Sequence, residues 1–179
     1  MNNKSKLIPL VQGGLIAALY TVATLVLAPL SFGPVQFRAS EALTVMPVFT
    51  ASAVPGLAVG CAISNAVGAA TGANIAGWLD VLLGSMATLM AAVCTRMLRK
   101  VEVKGIPLPA LLPPVIFNAL IVGAELSLFI PDGDPFWFCL LTVGAGELGV
   151  LLILGIPLII ALRKTRIFTD GSSRLERNA

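Results

Sequence analysis

Apolar residues run along this chain in six long blocks, at about 8–29, 42–56, 57–73, 78–97, 108–129 and 137–162, separated by proline, glycine and clustered charge. A bilayer core of about 30 Å is crossed by roughly 20 helical residues at 1.5 Å each. The pattern therefore predicts an all-α, polytopic integral membrane protein of six transmembrane helices. Its weakest boundary is "ASAVPGLAVG", where Pro55 and Gly56 turn the chain and leave the second and third blocks short for a crossing. A single re-entrant hairpin there is the alternative, and the number of passages is even either way. Residues 1–7 are read as a cytoplasmic N-terminus, 8–165 as the membrane domain and 166–179 as a polar cytoplasmic tail expected to be disordered. The start resembles a signal peptide in having basic residues before an apolar run, but the run is too long and is read as an uncleaved first helix.

Charge orients the bundle. With the N-terminus inside, eleven of the twelve basic residues fall on the cytoplasmic side, as the positive-inside rule requires, and Arg38 is the exception. This places the protein in the cytoplasmic membrane with both termini inside. The acids behave oppositely. Glu41, Asp80, Asp132 and Asp134 lie toward the outer surface, Glu125 in the outer part of the fifth helix and Glu147 deeper. Composition agrees, with 57% hydrophobic and 12% charged residues and a mean hydropathy of +0.94. The absence of histidine removes the common catalytic triads and zinc helices, and no phosphate-binding GxxxxGK[ST] loop is present. Cys61, Cys94 and Cys139 are isolated in apolar runs and read as packing residues rather than metal ligands or a disulfide framework. No enzyme, cofactor or metal is expected.

Polar residues inside the blocks mark the candidate chemistry. Glu147, in "VGAGELGV", lies about ten residues into the last helix, roughly 15 Å from its outer end. An acid there costs about 2.5–3.5 kcal/mol and ordinarily faces a cavity or a partner. Gly144, Gly146 and Gly149 either open space around it or serve helix packing, with Glu147 then paired to Arg38 or a backbone donor. Glu125 and Asn118 on the fifth helix, Asn65 on the third, and Asn74, Trp78 and Asp80 at the outer junction of the third and fourth complete an outer, polar set. Trp78 also fits an interfacial anchor, and Asp132 and Asp134 a solvated turn. Carboxylates and carboxamides with an aromatic and one arginine suit a small ligand rich in hydrogen-bond donors, cationic ligands included, whereas the apolar inner halves disfavour an open pore.

"FGPVQFRASEALTVMP", "GANIAGWLDVLLGSMAT" and "GAGELGV" resemble the QueT family over about residues 8–165. These are the substrate-binding S components of energy-coupling factor transporters for queuosine precursors. The resemblance implies a six-helix membrane fold, a ligand such as 7-aminomethyl-7-deazaguanine, and partnership with a transmembrane scaffold subunit and two cytoplasmic ATPases. A carboxylate can accept both N1–H and the exocyclic amine of a guanine-like edge, a carboxamide can address its carbonyl, and a second carboxylate can neutralise the aminomethyl arm. Under this reading Glu41, Asp80, Glu125 and Glu147 supply acids, Asn65, Asn74 and Asn118 amides, and Phe37 or Trp78 a stacking face. Pro34 and the residues after it are expected to fold over the pocket, with Arg38 holding the carboxylates or orienting that loop. The alternative for Arg38 and Glu41 is an exposed ion pair at a helix start. Gly13, Ala17 and Thr21, with Gly14 and Ala18 beside them, form a small-residue stripe that either docks the scaffold or packs internally. The competing function is a self-sufficient secondary carrier, against which stands the lack of a visible inverted repeat.

Overall fold

The computed structural model describes residues 3–33, 36–131 and 133–165, with side chains from residue 7 onward. Pro34, Val35, Asp132 and the expected tail lie outside the described residues. Within them the chain is helical, as its blocks predict: α1 (Asn3–Val26), α2 (Ala28–Ser31), α3 (Ala53–Thr71), α4 (Leu79–Met97), α5 (Leu112–Phe117), α6 (Gly123–Phe129), α7 (Phe136–Val150) and α8 (Ile156–Thr165). α5 and α6 are halves of one long rod joined by a π-turn over Asn118–Val122, and α7 and α8 are joined by another over Leu151–Gly155. Pro157 contributes to the second π-turn, because it has no N–H to give to the carbonyl four residues back.

Five helical stretches are long and apolar enough to cross a membrane: Leu7–Val26, Ala53–Thr71, Leu79–Lys100, Leu108–Phe129 and Phe136–Thr165. The expected second span, 42–56, differs. It is a ten-residue 3₁₀ helix, Ala39–Val48, whose start meets Asp80 at the head of α4 through Arg38 and whose end gives the Pro47 carbonyl to Arg96 at the foot of α4. A 3₁₀ helix rises about 2.0 Å per residue against 1.5 Å for an α-helix. Ten residues so wound cover roughly 20 Å, which is how so short a segment accompanies α4 along most of its length. That is short of a bilayer core of about 30 Å, so the segment is not one of the five spans, and its polar Ser40, Glu41 and Thr44 are carried into the interior of the bundle.

The seam between α1 and α3 is built by small residues. A Cβ added at Gly56 would stand 2.6 Å from the Gly13 carbonyl oxygen, and one at Gly60 would stand 2.8 Å from that of Ala17. Gly56, Gly60, Ser64 and Gly68 recur every fourth residue along one buried face of α3. Such spacing lets two backbones approach closely in lipid, where helix association depends on packing rather than on hydrophobic exclusion. Thr21 Oγ1 donates to the Gly60 carbonyl across the seam at 3.1 Å. Gly13, Ala17 and Thr21 face this seam, while Gly14 and Ala18 are exposed. Outward from the seam lies an open apolar groove of about 240 Å³, lined by Pro9, Leu10, Gly13, Gly14, Ala17, Pro55, Gly56 and Val59.

Candidate functional site

Two polar assemblies lie side by side in the half of the bundle nearer Asp80. The first is centred on Arg38. Its Nη2 is 2.7 Å from Asp80 Oδ2, with both side chains buried, and its Nε donates to the Ser31 carbonyl at 3.1 Å. The guanidinium carbon also stands 5.3 Å from the centre of the Phe32 ring. Asn74 Nδ2 donates to the same Asp80 oxygen at 2.9 Å, and Asn65 Nδ2 to the Asp80 carbonyl at 2.8 Å. Gly84, one turn beyond Asp80, leaves the room this requires: a Cβ there would collide with the Asp80 carboxylate and stand 2.8 Å from Asn65 Nδ2. Arg38 consequently pairs with Asp80 rather than with Glu41, and it is not the exposed pair that a helix-start reading allows.

The second assembly is a small cavity lined by Gln36, Arg38, Glu41, Asn118, Val122, Val143 and Glu147. It draws on elements far apart in sequence. The 3₁₀ helix brings Glu41, the π-turn brings Asn118 and Val122 onto one face, and α7 brings Val143 and Glu147 one turn apart. π-turns often sit at functional sites because the extra residue re-aims neighbouring side chains. Tyr20, fully buried on α1, donates its hydroxyl to Glu41 Oε1, and Thr24 one turn on shares a 2.6 Å hydrogen bond with Ser40. Asn118 faces both Glu41 and Glu147. Among the described residues, Glu41 Oε2, Glu147 Oε1 and Gln36 Nε2 are buried without a hydrogen-bond partner. Buried polar atoms are nearly always paired, so three such atoms on one cavity form a set of contacts left open for something else. The free volume enclosed is about 10 Å³, close to the room one water takes, so a larger ligand must displace part of the wall.

The sequence-predicted residues thus separate. Arg38, Glu41, Asn118 and Glu147 come together at the cavity. Asn65, Asn74 and Asp80 support Arg38 from behind. Phe37 is half-buried beside α7, its ring edge 3.8 Å from where a Gly149 Cβ would be. Trp78 is 66% exposed and lines neither assembly. Glu125 is buried, with both carboxylate oxygens unpartnered among the described residues, but it is not a cavity-lining residue. Gln36 is the polar residue that sequence reasoning missed. Its available signal was a lone carboxamide between Val35 and Phe37, two positions from the arginine.

A family model described as the QueT transporter matches residues 10–164. The chain is also similar to the Queuosine precursor transporter QueT of Lactococcus lactis subsp. cremoris (strain MG1363), with 35% identity over 89 residues, 49% of this chain and 48% of that relative. That alignment spans about half the length of the relative. No solved structure matches. With the family model extending from the first long helix to the end of the last, and so over every element that builds the cavity, the chain belongs to the QueT transporter family.

Proposed function

We propose that the protein binds a queuosine precursor, a 7-deazaguanine such as 7-aminomethyl-7-deazaguanine, in the Glu41–Glu147 cavity and delivers it across the cytoplasmic membrane. The observation that carries this reading is the pair of buried carboxylates, 3% and 4% exposed, each with one oxygen unpartnered among the described residues. A guanine-type base offers N1–H and a 2-amino group, and the aminomethyl arm offers a cation. Two acids can divide those donors between them, and a buried carboxylate without a partner is costly enough that a donor-rich, cationic ligand stabilises the site. Arg38 and Asn118 keep the two carboxylates from facing one another uncompensated.

The energy source is proposed to lie outside this chain. Under the energy-coupling factor reading, a transmembrane scaffold and two cytoplasmic ATPases drive transport, and both termini face the cytoplasm. The Arg96, Arg99 and Lys100 end of α4 then lies inside and the Arg38–Asp80 end outside, as the positive-inside rule favours. The exposed Gly14 and Ala18 beside the apolar groove are the proposed contact with the scaffold. Gly14→Leu is expected to abolish ATP-dependent uptake in the reconstituted complex while leaving ligand binding intact; equal loss of both would reassign that face to folding.

Calorimetry on the purified chain in detergent, without partners, tests the binding function. The expected result is tight binding of the aminomethyl deazaguanine, weaker binding of the nitrile analogue and guanine, and loss of the aminomethyl preference in Glu147→Gln. If none of the three binds, or if Glu41→Gln and Glu147→Gln both bind like wild type, the cavity is not the ligand site.

A further inference from the structure

The open atoms of the cavity are of two kinds. Glu41 Oε2 and Glu147 Oε1 are acceptors, and Gln36 Nε2 is a donor. A carboxylate offers no hydrogen to a ligand acceptor, and Arg38 directs Nε to the Ser31 carbonyl, Nη2 to Asp80 and Nη1 toward Cys61 Sγ at 3.9 Å. Gln36 is 6% exposed and lines the same cavity as the two acids. Its backbone is held at φ 48°, in the left-handed region that few side chains other than Asn, Asp or Gly adopt readily. Two short-range bonds fix it there, from its own N–H to the Gly33 carbonyl and from the Arg38 N–H to its carbonyl, both 3.0 Å. A long, flexible amide is thus kept in an unfavoured backbone region, inside the protein, with its donor unspent.

We infer that Gln36 is the specificity-determining donor of the site and reads the 6-oxo acceptor of a 2-amino-6-oxo base. The inference rests on the function proposed above and deepens it. The hydrogen-bonding edge of such a base runs acceptor, donor, donor, from O6 through N1–H to the 2-amino group. One amide donor beside one carboxylate, whose two oxygens accept from N1–H and the 2-amino group, is its complement, and the second carboxylate is left for the aminomethyl arm. An adenine-type edge presents a donor where O6 would be and sets it against the Gln36 N–H. A hypoxanthine-type edge keeps the O6 contact but lacks the 2-amino donor for a carboxylate. Gln36 and the acids consequently discriminate at different ends of the same ligand.

Binding of 7-deazaguanine, 7-deazahypoxanthine and 2,6-diamino-7-deazapurine by wild type, Gln36→Gly and Gln36→Glu tests this. Glycine accepts the positive φ without strain, so Gln36→Gly keeps the fold while removing the donor, and its thermal midpoint in detergent checks that it does. Gln36→Gly should weaken 7-deazaguanine about 10- to 100-fold, the range for one buried acceptor left unpaired, while preserving the preference for the 2-amino group over its absence. Gln36→Glu replaces the donor with an acceptor and should narrow or invert the preference for the 6-oxo over the 6-amino base. If wild type binds 7-deazaguanine and Gln36→Gly binds it equally well with the same 6-oxo preference, the role of Gln36 is overturned and the proposed function stands. If wild type binds neither these three nor the aminomethyl deazaguanine, the proposed function itself fails.

Discussion

The Arg38–Asp80 cluster and the Glu41–Glu147 cavity bury comparable polar groups a few residues apart, yet they use them in opposite ways. In the first, opposite charges meet at 2.7 Å, Asn74 donates to the acid and Asn65 to its main-chain carbonyl, and an aromatic ring lies near the cation. In the second, two like-charged acids and an amide share a space scarcely larger than a water, each with an atom unpartnered among the described residues. Both regions hold buried polar atoms unpartnered among the described residues, Asp80 Oδ1 and Asn65 Oδ1 in the first and Glu41 Oε2 and Glu147 Oε1 in the second, so the distinguishing feature is that the first sets its acid against a cation within the fold and the second sets two acids around an open space. Arg38 belongs to both regions, and that couples them. The cluster fixes the arginine, and the arginine forms one wall of the cavity.

The largest effect is expected from breaking the cluster. Asp80→Ala leaves the Arg38 guanidinium buried without its counter-charge, a change that costs about 3–5 kcal/mol in buried pairs. Folded protein should fall sharply, read as yield and thermal midpoint in detergent, and ligand should rescue it little. Glu147→Gln should do the reverse, keeping or raising the midpoint while weakening ligand binding. Should Glu147→Gln destabilise the chain as much as Asp80→Ala does, the separation into a supporting cluster and an open cavity would be lost.

Gly84→Ala comes next, because it introduces a methyl group where the Asp80 carboxylate lies and 2.8 Å from Asn65 Nδ2. Overpacking of this kind costs about 1–3 kcal/mol. The midpoint should drop by less than in Asp80→Ala, with binding weakened only as far as Arg38 is displaced. Tyr20→Phe is milder. It removes the one hydroxyl that holds Glu41 Oε1 and leaves a second acceptor on that acid unpaired, a loss of about 1–3 kcal/mol. Since Tyr20 does not line the cavity, its effect on ligand affinity has to pass through Glu41. In the Glu41→Gln background Tyr20→Phe should therefore change affinity less than it does alone, and simple additivity in that double-mutant cycle would show that the hydroxyl serves only stability.

Much of the architecture was legible in the chain. Long apolar blocks predict the long helices, and "GAGELGV" identifies Glu147 as a buried acid needing a partner or a cavity. The expected second span, 42–56, was misjudged because its apolar residues were read as one transmembrane α-helix, whereas Ala39–Val48 is a 3₁₀ helix and α3 begins at Ala53. The partner of Arg38 could not be read at all, since Asp80 is 42 positions away and only the packing of the 3₁₀ helix on α4 joins them. The stripe of Gly13 and Ala17 was visible, but its close approach to Gly56 and Gly60 on α3 was not, because it depends on packing between helices about 40 residues apart. Gln36 escaped because acids and asparagines were weighed as site residues, and its importance lies in an unspent donor that no spacing rule reveals.

The smallest effect is expected at Trp78, and it sharpens the comparison by lying outside both regions. In sequence it stands two residues before Asp80, where an aromatic invites a stacking role. In the structure 66% of it is exposed, and it touches neither the Arg38 cluster nor the cavity lining. An amphipathic ring at the end of a membrane helix is well suited to the lipid–water boundary, where its contribution depends on the bilayer rather than on the ligand. Trp78→Ala should accordingly leave deazaguanine affinity in detergent within about twofold of wild type, corresponding to the roughly 0.5 kcal/mol typical of surface substitutions. A loss of tenfold or more in affinity at an unchanged thermal midpoint would mean that the ligand reaches beyond Arg38 to the end of α4, and the cavity would then be the inner part of a longer site that includes Trp78.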